Sequence, residues 1–291
     1  SEPSGCWPSE GAVSLETVKL LEKAGFAWTA SGESVLHHSL QENIREHHPH
    51  RLYQPWKIDG TSGKIRCFFR DDLLSDRIGF EYSKWDSQDA VKNFMHELSS
   101  IRERTRDMDN PCVAIIMDGE NAWEHYFENG VPFLKTLFKE LVEHPEIELT
   151  TFSDYLQNDP DTETLPKMVA GSWVYGNLST WIGDPAKTRA WQMLVEAKKV
   201  FDVRIETLTK EQALAAKEQL RICEGSDWFW WPGDYNPAES VRDFDRLYRQ
   251  HLRKLYHLLG VDSPAILDEP LSAGGGDAEG GGTMRRGAAQ S

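Results

Sequence analysis

Short unbroken apolar runs alternate along this chain with longer stretches of helical spacing. The clearest run is Cys112-Val-Ala-Ile-Ile-Met117, which ends abruptly in Asp118-Gly-Glu-Asn121. Six apolar residues without alternation predict a strand buried on both faces that emerges at a polar rim. Phe26–Ser31, Lys64–Phe69 and Ile147–Phe152 give further strands. Between them lie helices with recognisable ends. Ser14 opens a helix to Ala24, with Glu16 in its first turn and Gly25 just past its end. Asp86 caps a second, whose face is Ala90, Val91, Phe94, Met95, Leu98 and Ile101. A third carries Leu134, Leu137, Phe138, Leu141 and Val142 and stops at His144-Pro145. This alternation from Glu10 to Phe152 predicts an α/β class with a parallel sheet.

Helices follow at about 186–201, 209–222 and 237–260. Thr209 with Gln212 forms a capping-box pattern, and Val241, Phe244, Leu247, Tyr248, Leu252, Leu255, Leu258 and Leu259 mark an apolar face that needs a partner. The expected organisation is a catalytic portion over residues 1–165, a helical unit over 166–265 and a tail over 266–291. That tail becomes Gly-rich after Ser272 and cannot bury enough apolar surface to order itself. Residues 37–60 lack periodicity and are expected as an irregular excursion, in which Tyr53 and Trp56 could present a stacking surface. Its histidines, His37, His38, His47, His48 and His50, match no standard zinc spacing.

Candidate chemistry sits where strands hand over to helices. Asp118 is the first residue out of an apolar strand, a natural place for a raised carboxyl pKa, and by itself Asp118-Gly119 also reads as a strand-terminating turn. Glu10 lies in the loop Gly5-Cys-Trp-Pro-Ser-Glu10-Gly11, beside the stiff apolar surface of Trp7 and Pro8. Two acids so placed, with many aromatics, suit glycoside hydrolysis. One carboxyl group protonates the leaving oxygen, the other attacks the anomeric carbon or activates water, and indole faces hold sugar rings. Glu33 follows the Phe26–Ser31 strand, either as a solvated loop acid or as a substrate contact. Arg70, beside Asp71 and Asp72, either holds a catalytic carboxylate ionised or belongs to a structural ion pair. In Trp228-Phe-Trp-Trp231, alternation would send two rings inward and two toward a cleft.

Three longer stretches carry a resemblance. Gly5-Cys-Trp-Pro-Ser-Glu10, Met117-Asp-Gly-Glu-Asn-Ala-Trp-Glu124 and Glu224-Gly-Ser-Asp-Trp-Phe-Trp-Trp-Pro-Gly-Asp234 resemble characteristic regions of glycoside hydrolase family 57, closest to its α-amylase and amylopullulanase members. Phe68–Phe80 and Gly171–Gly183 are also similar to that group. The resemblance implies a retaining enzyme acting on α-glucans in an incomplete, seven-stranded β/α barrel, with no cofactor or metal. It matches Glu10 to the nucleophile and Asp118 to the general acid/base, with carboxyl groups about 5 to 6 Å apart. Trp7, Arg70, Asp71, Glu120, Trp173, Asp227, Trp228, Trp230 and Trp231 are the expected substrate contacts. The family's first regions, including a His-Gln-Pro motif, are absent. The chain is therefore expected to be truncated at its amino terminus, poorly soluble and inactive alone.

Composition narrows the partners. A net charge of −15 argues against nucleic acid and anionic membrane, and is compatible with neutral polysaccharide. No apolar run is long enough for a membrane span. Cys6, Cys67, Cys112 and Cys223 show no paired spacing and read as reduced core residues of a cytoplasmic protein. Rival functions are a 4-α-glucanotransferase or branching activity, a metal-dependent carbohydrate hydrolase or deacetylase using Asp118 and the histidines, and a non-catalytic glucan-binding protein.

Overall fold

The computed structural model describes residues 2–119, 123–158, 160 and 162–276. They form two compact units, Ser1–Asn177 and Leu178–Ser291. The first is an α/β unit around a five-stranded sheet. β1 (Gly5–Cys6), β2 (Trp28–Ser31), β3 (Trp56–Ile58), β4 (Arg66–Phe69) and β5 (Thr164–Leu165) lie in the order β1-β2-β4-β3-β5. β1, β2 and β4 run parallel, with Trp28 opposite Arg66 and Ser31 opposite Phe69. β3 is antiparallel to β4 and parallel to β5, so the sheet is mostly parallel rather than wholly so.

Most helices of this unit start where a polar side chain satisfies free N–H groups. Ser14 caps α1 (Leu15–Lys23) by accepting from Thr17 N. α2 (Glu33–Leu40) ends on left-handed Gln41 and is followed by α3 (Ile44–His47). Asp71 caps α4 (Asp72–Asp76), Asp86 caps α5 (Ser87–Arg104), and Pro132 lies in the first turn of α6 (Val131–Glu143). Thr151 caps the short α7 (Phe152–Gln157). Ala90, Val91, Phe94 and Ile101 of α5 are buried with Phe133, Leu137 and Leu141 of α6. Phe138 and Val142, expected on that same face of α6, are exposed.

Three expectations about elements need correction. Cys112–Met117 carries no β ladder. Its backbone bonds are single ones: Cys112 N donates to Tyr53 O, Ile116 N to Ser75 Oγ, and Ala114 O accepts from Asp71 N. The run is apolar because it packs against the sheet's neighbours, and it is half-buried rather than enclosed. Residues 147–151 form no strand either; four of them are exposed, and Phe152 begins α7, stacking on Phe68 at 4.2 Å. Residues 37–60 are not irregular. They hold part of α2, then α3, a 3-10 turn over Pro49–Tyr53 and β3, anchored by buried Ile44, Leu52, Tyr53 and Trp56.

The second unit is helical. α8 (Pro185–Arg204), α9 (Lys210–Cys223), α10 (Asp227–Trp230) and α11 (Ala238–Leu258) pack through Ala190, Leu194, Ala197, Leu220, Val241, Tyr248, Leu252 and Leu255. Thr209 and Gln212 form the capping box that the spacing predicts. Trp228–Trp231 does not alternate as a strand would. It makes a helical turn, so Phe229 alone is fully buried, while the three tryptophans keep part of their surface in solvent. Phe229 stacks on Trp191 at 3.7 Å, and Lys187, wholly buried, donates to the carbonyls of Thr180, Phe229 and Trp230. Within the stretch expected as a tail, Ala265–Asp268 forms a 3-10 turn, and Leu267 and Leu271 are buried. Residues from 277 onward lie outside the described ones.

Candidate active site

Because β1, β2 and β4 are parallel, their carboxyl ends share one rim of the sheet, the side on which parallel β/α architectures place their chemistry. β1 delivers Trp7 and Glu10, β2 delivers Gly32 and Glu33, and β4 delivers Arg70, Asp71 and Asp72. Arg70 continues the β2–β4 pairing by one bond, donating its N–H to Ser31 O. The half-buried run toward Asp118 joins this rim through Ala114 O and Ile116 O, which accept from Asp71 N and Arg70 Nε.

Glu10 sits in a 3-10 turn, Ser9–Gly11, with φ 57° and ψ 22°. A glutamate in the left-handed region stores strain of about 1 kcal/mol or more, and such residues persist where the surroundings over-determine them. Here the surroundings are dense. Glu10 O accepts from Trp173 N, Gly11 O accepts from Ser31 Oγ at 2.6 Å, and Val13 pairs antiparallel with Gly171. The Trp173 indole N–H then reaches the Glu10 carboxylate, donating to Oε2 at 3.0 Å. Trp7 packs edge-on to Trp173, with ring centroids 5.1 Å apart. Two glycines make this approach possible. A Cβ on Gly11 would lie 2.6 Å from the Trp7 ring, and one on Gly32 would lie 2.6 Å from Trp173 Cα.

Beneath these groups runs a buried ionic network. Glu33 is 3% exposed in the first turn of α2, so it is neither a loop acid nor solvated. Arg45 pairs with both Glu33 and Asp71, the latter at 2.7 Å, and His37 Nε2 lies 3.3 Å from Glu33. Asp71 is 1% exposed and also accepts from Tyr53 Oη at 2.9 Å and Leu74 N at 3.0 Å, so its described bonds point inward. Arg70 donates to Asp72 at 3.1 Å and Asp76 at 2.6 Å, which makes it part of an ion-pair cluster. Burial drives the Glu33 carboxyl upward, but His37 and Arg45 outweigh it and hold the group below its usual range. Asp72 goes the other way. Burial, reinforced by Glu33 and Asp76, pushes it up to about 7 against the pull of Arg70.

That shift has a sign. The folded chain holds a proton on Asp72 at pH values where the unfolded chain, with a carboxyl near 3.8, has lost it. Stability from this group is therefore full below about pH 4 and is lost as pH rises toward 7. With 24% of the side chain in solvent, the swing is expected to be about 2 kcal/mol. Urea unfolding from pH 4 to 7 should show Asp72→Asn gaining on the parent as pH rises; a constant difference would exclude this account.

The structure thus brings Glu10, Trp7, Trp173 and Arg70 into one connected group and ties the Asp118 segment to it through Ile116. Glu120 falls outside the described residues. Trp228, Trp230 and Trp231 pack within the second unit, against Tyr248, Trp181 and Phe244, and Asp227 is exposed as the first residue of α10. The histidines go separate ways: His37 to Glu33, His38 Nδ1 to Gly176 O at 3.0 Å, and His48 to Glu42. Among the described residues no three His, Cys, Asp or Glu side chains are grouped to hold a metal, and no helix is long and apolar enough to cross a membrane. The four cysteines are free thiols. Sequence reasoning missed Arg45 and Tyr53 as partners of Asp71. No local signal marks them, since their contacts are made only on folding.

The sequence pattern that defines glycosyl hydrolase family 57 matches residues 1–170, more than half of the chain. The chain belongs to glycosyl hydrolase family 57. Solved structures agree in fold. The α-amylase AmyC from Thermotoga maritima is similar with a TM-score of 0.66 and 17% identity, covering 89% of this chain and 60% of its own. The GH57-type branching enzyme from Pyrococcus horikoshii gives 0.59 and 15%, over 89% and 59%. The 4-α-glucanotransferase from Thermococcus litoralis gives 0.59 and 16%, over 87% and 42%. This family 57 chain thus spans three fifths or less of the length of each.

Proposed function

We propose that this chain carries the catalytic acids of a retaining α-glucan-active enzyme, with Glu10 as nucleophile and Asp118 as general acid/base. The observation that carries this reading is the setting of Glu10. A carboxylate on a strained left-handed turn, held by an indole N–H and flanked by two indole rings, is a preorganised nucleophile beside a sugar-stacking surface. Glu10 attacks the anomeric carbon and forms a glycosyl ester as Asp118 protonates the departing oxygen. Asp118 then deprotonates the incoming hydroxyl, which displaces Glu10 and restores the original configuration. Water as acceptor gives hydrolysis; a sugar hydroxyl gives transglycosylation. Family membership supports this chemistry, as do the similar solved structures named for an α-amylase, a branching enzyme and a glucanotransferase, and one branching-enzyme structure in complex with glucose. In this reading the sheet is part of a seven-stranded β/α barrel, and Asp71 acts behind the sugar rather than on it.

The test is incubation with maltoheptaose, with and without glucose as added acceptor, followed by chain-length analysis and NMR of the first anomer released. Shortened products of α configuration support hydrolysis with retention, and a ladder of longer chains supports transfer. Trp7→Ala should weaken substrate binding by about 1 to 3 kcal/mol, the size of a lost stacking ring. An initial β anomer would overturn the retaining assignment, and unchanged affinity in Trp7→Ala would remove that ring from the sugar site.

A further inference from the structure

Arg70 meets both acid-bearing segments. It is buried, and each of its three side-chain nitrogens is engaged: Nε with Ile116 O at 3.1 Å, Nη1 with Asp72 at 3.1 Å and Nη2 with Asp76 at 2.6 Å. Three bonds in the plane of a guanidinium fix that plane. Its centre then lies 5.1 Å from the ring centroid of Trp173, within the range of a cation–π contact. Trp173 in turn donates its indole N–H to Glu10 at 3.0 Å. Ile116 stands two residues before Asp118.

We propose that Arg70 is a positioning residue that aims the Glu10 carboxylate through the indole of Trp173, while fastening the Asp118 segment to the same rigid fork. The proposal rests on Glu10 being the nucleophile. It differs from direct contact of an arginine with a catalytic acid. A guanidinium against the carboxylate would stabilise its charge so strongly that attack on the sugar would be discouraged; a neutral indole N–H orients the oxygen and takes less of its nucleophilicity. Asp76 on α4 balances the Arg70 charge, and Asp72 accepts a bond from it. Asp72 N donates in turn to Glu33 on α2, which pairs with Arg45 on α3. An indole that loses its support weakens this donor to Glu10, and the carboxylate becomes easier to protonate.

The experiment compares the parent chain with Arg70→Met, Arg70→Lys, Trp173→Phe and the Arg70→Met/Trp173→Phe double variant. Two things are read: kcat and KM on maltoheptaose across pH, and the ¹⁵N-indole resonance of Trp173, identified by its loss in Trp173→Phe. Arg70→Met should lower kcat by about 10- to 100-fold with KM within about threefold, because a displaced nucleophile harms the transition state more than binding. The acidic limb of kcat/KM and the titration midpoint of the indole resonance should both rise, by about one pH unit. Arg70→Lys keeps a cation but loses the fork, so it should fall between; it carries the same test if Arg70→Met does not fold. The double variant should lose less than the product of the two single losses, because the part of the Arg70 effect that runs through the indole is already gone in Trp173→Phe. An Arg70 variant that loses activity with the indole resonance unmoved overturns the proposal, as do effects of Arg70→Met and Trp173→Phe that simply add. An indole that titrates in a chain that turns over no glucan, alone or extended upstream, would refute the proposed function and leave the Arg70–Trp173–Glu10 linkage intact.

Discussion

Glu10→Ala is expected to lower glucan turnover by about four orders of magnitude or more, the loss that the proposed role of covalent nucleophile implies. Sodium azide should restore turnover and leave a glycosyl azide of inverted configuration, because the small anion enters the space vacated by the carboxylate and attacks once. A donor already waits there: the Trp173 indole N–H, which meets the Glu10 carboxylate in the parent chain, would face the anion once the side chain is cut back. Asp118→Asn, by contrast, should be rescued by substrates with good leaving groups, which need no proton. Azide rescue of Glu10→Ala that gave a product of retained configuration would show that another group is the nucleophile.

Phe229→Ala should destabilise the helical unit by about 3 to 5 kcal/mol, the upper part of the range for a large-to-small core change. Three observations put it there. Phe229 is fully buried, its ring stacks on Trp191 with planes only 7° apart, and it meets Tyr248 edge-on at 5.7 Å. The backbone cannot relax into the hole, since Lys187 holds the carbonyls of both Phe229 and Trp230. A cavity that cannot collapse is the costly kind. Urea unfolding followed by hydrogen exchange of the α8 and α11 amides would report it, and a loss below about 1 kcal/mol would mean that the turn repacks freely.

Local signals in the sequence proved local in what they delivered. Ser14, Asp86 and the Thr209–Gln212 pair mark helix starts because a cap acts on N–H groups only two or three residues away. The strands over Trp28–Ser31 and Arg66–Phe69 were legible for a similar reason, as compact apolar runs. Cys112–Met117 has the same composition without the ladder, because pairing is decided by a neighbour's register and not by the run itself. The Trp228–Trp231 stretch is as apolar as a strand, but its carbonyls find a lysine some forty residues earlier in the chain and close into a helical turn. The candidate site divides along the same line. Glu10 and Asp118 stand out by position and motif. The bond from Trp173 to Glu10 spans 163 residues, and that from Arg45 to Asp71 spans 26; both exist only in the folded chain.

The left-handed turn at Glu10 also bears on how such a loop can change over evolutionary time. Glycine takes that backbone without the strain of about 1 kcal/mol, so a loop carrying Glu10→Gly would recover in strain about what it loses in chain entropy and in the bond from Trp173. Selection for stability alone would therefore not hold the acid there, and under the proposed function it is the demand for its chemistry that does. A family member that drifted to glycine here would keep Trp7 and Trp173 at little cost in stability, which under the proposed function is the simplest route from an enzyme of this architecture to a lectin.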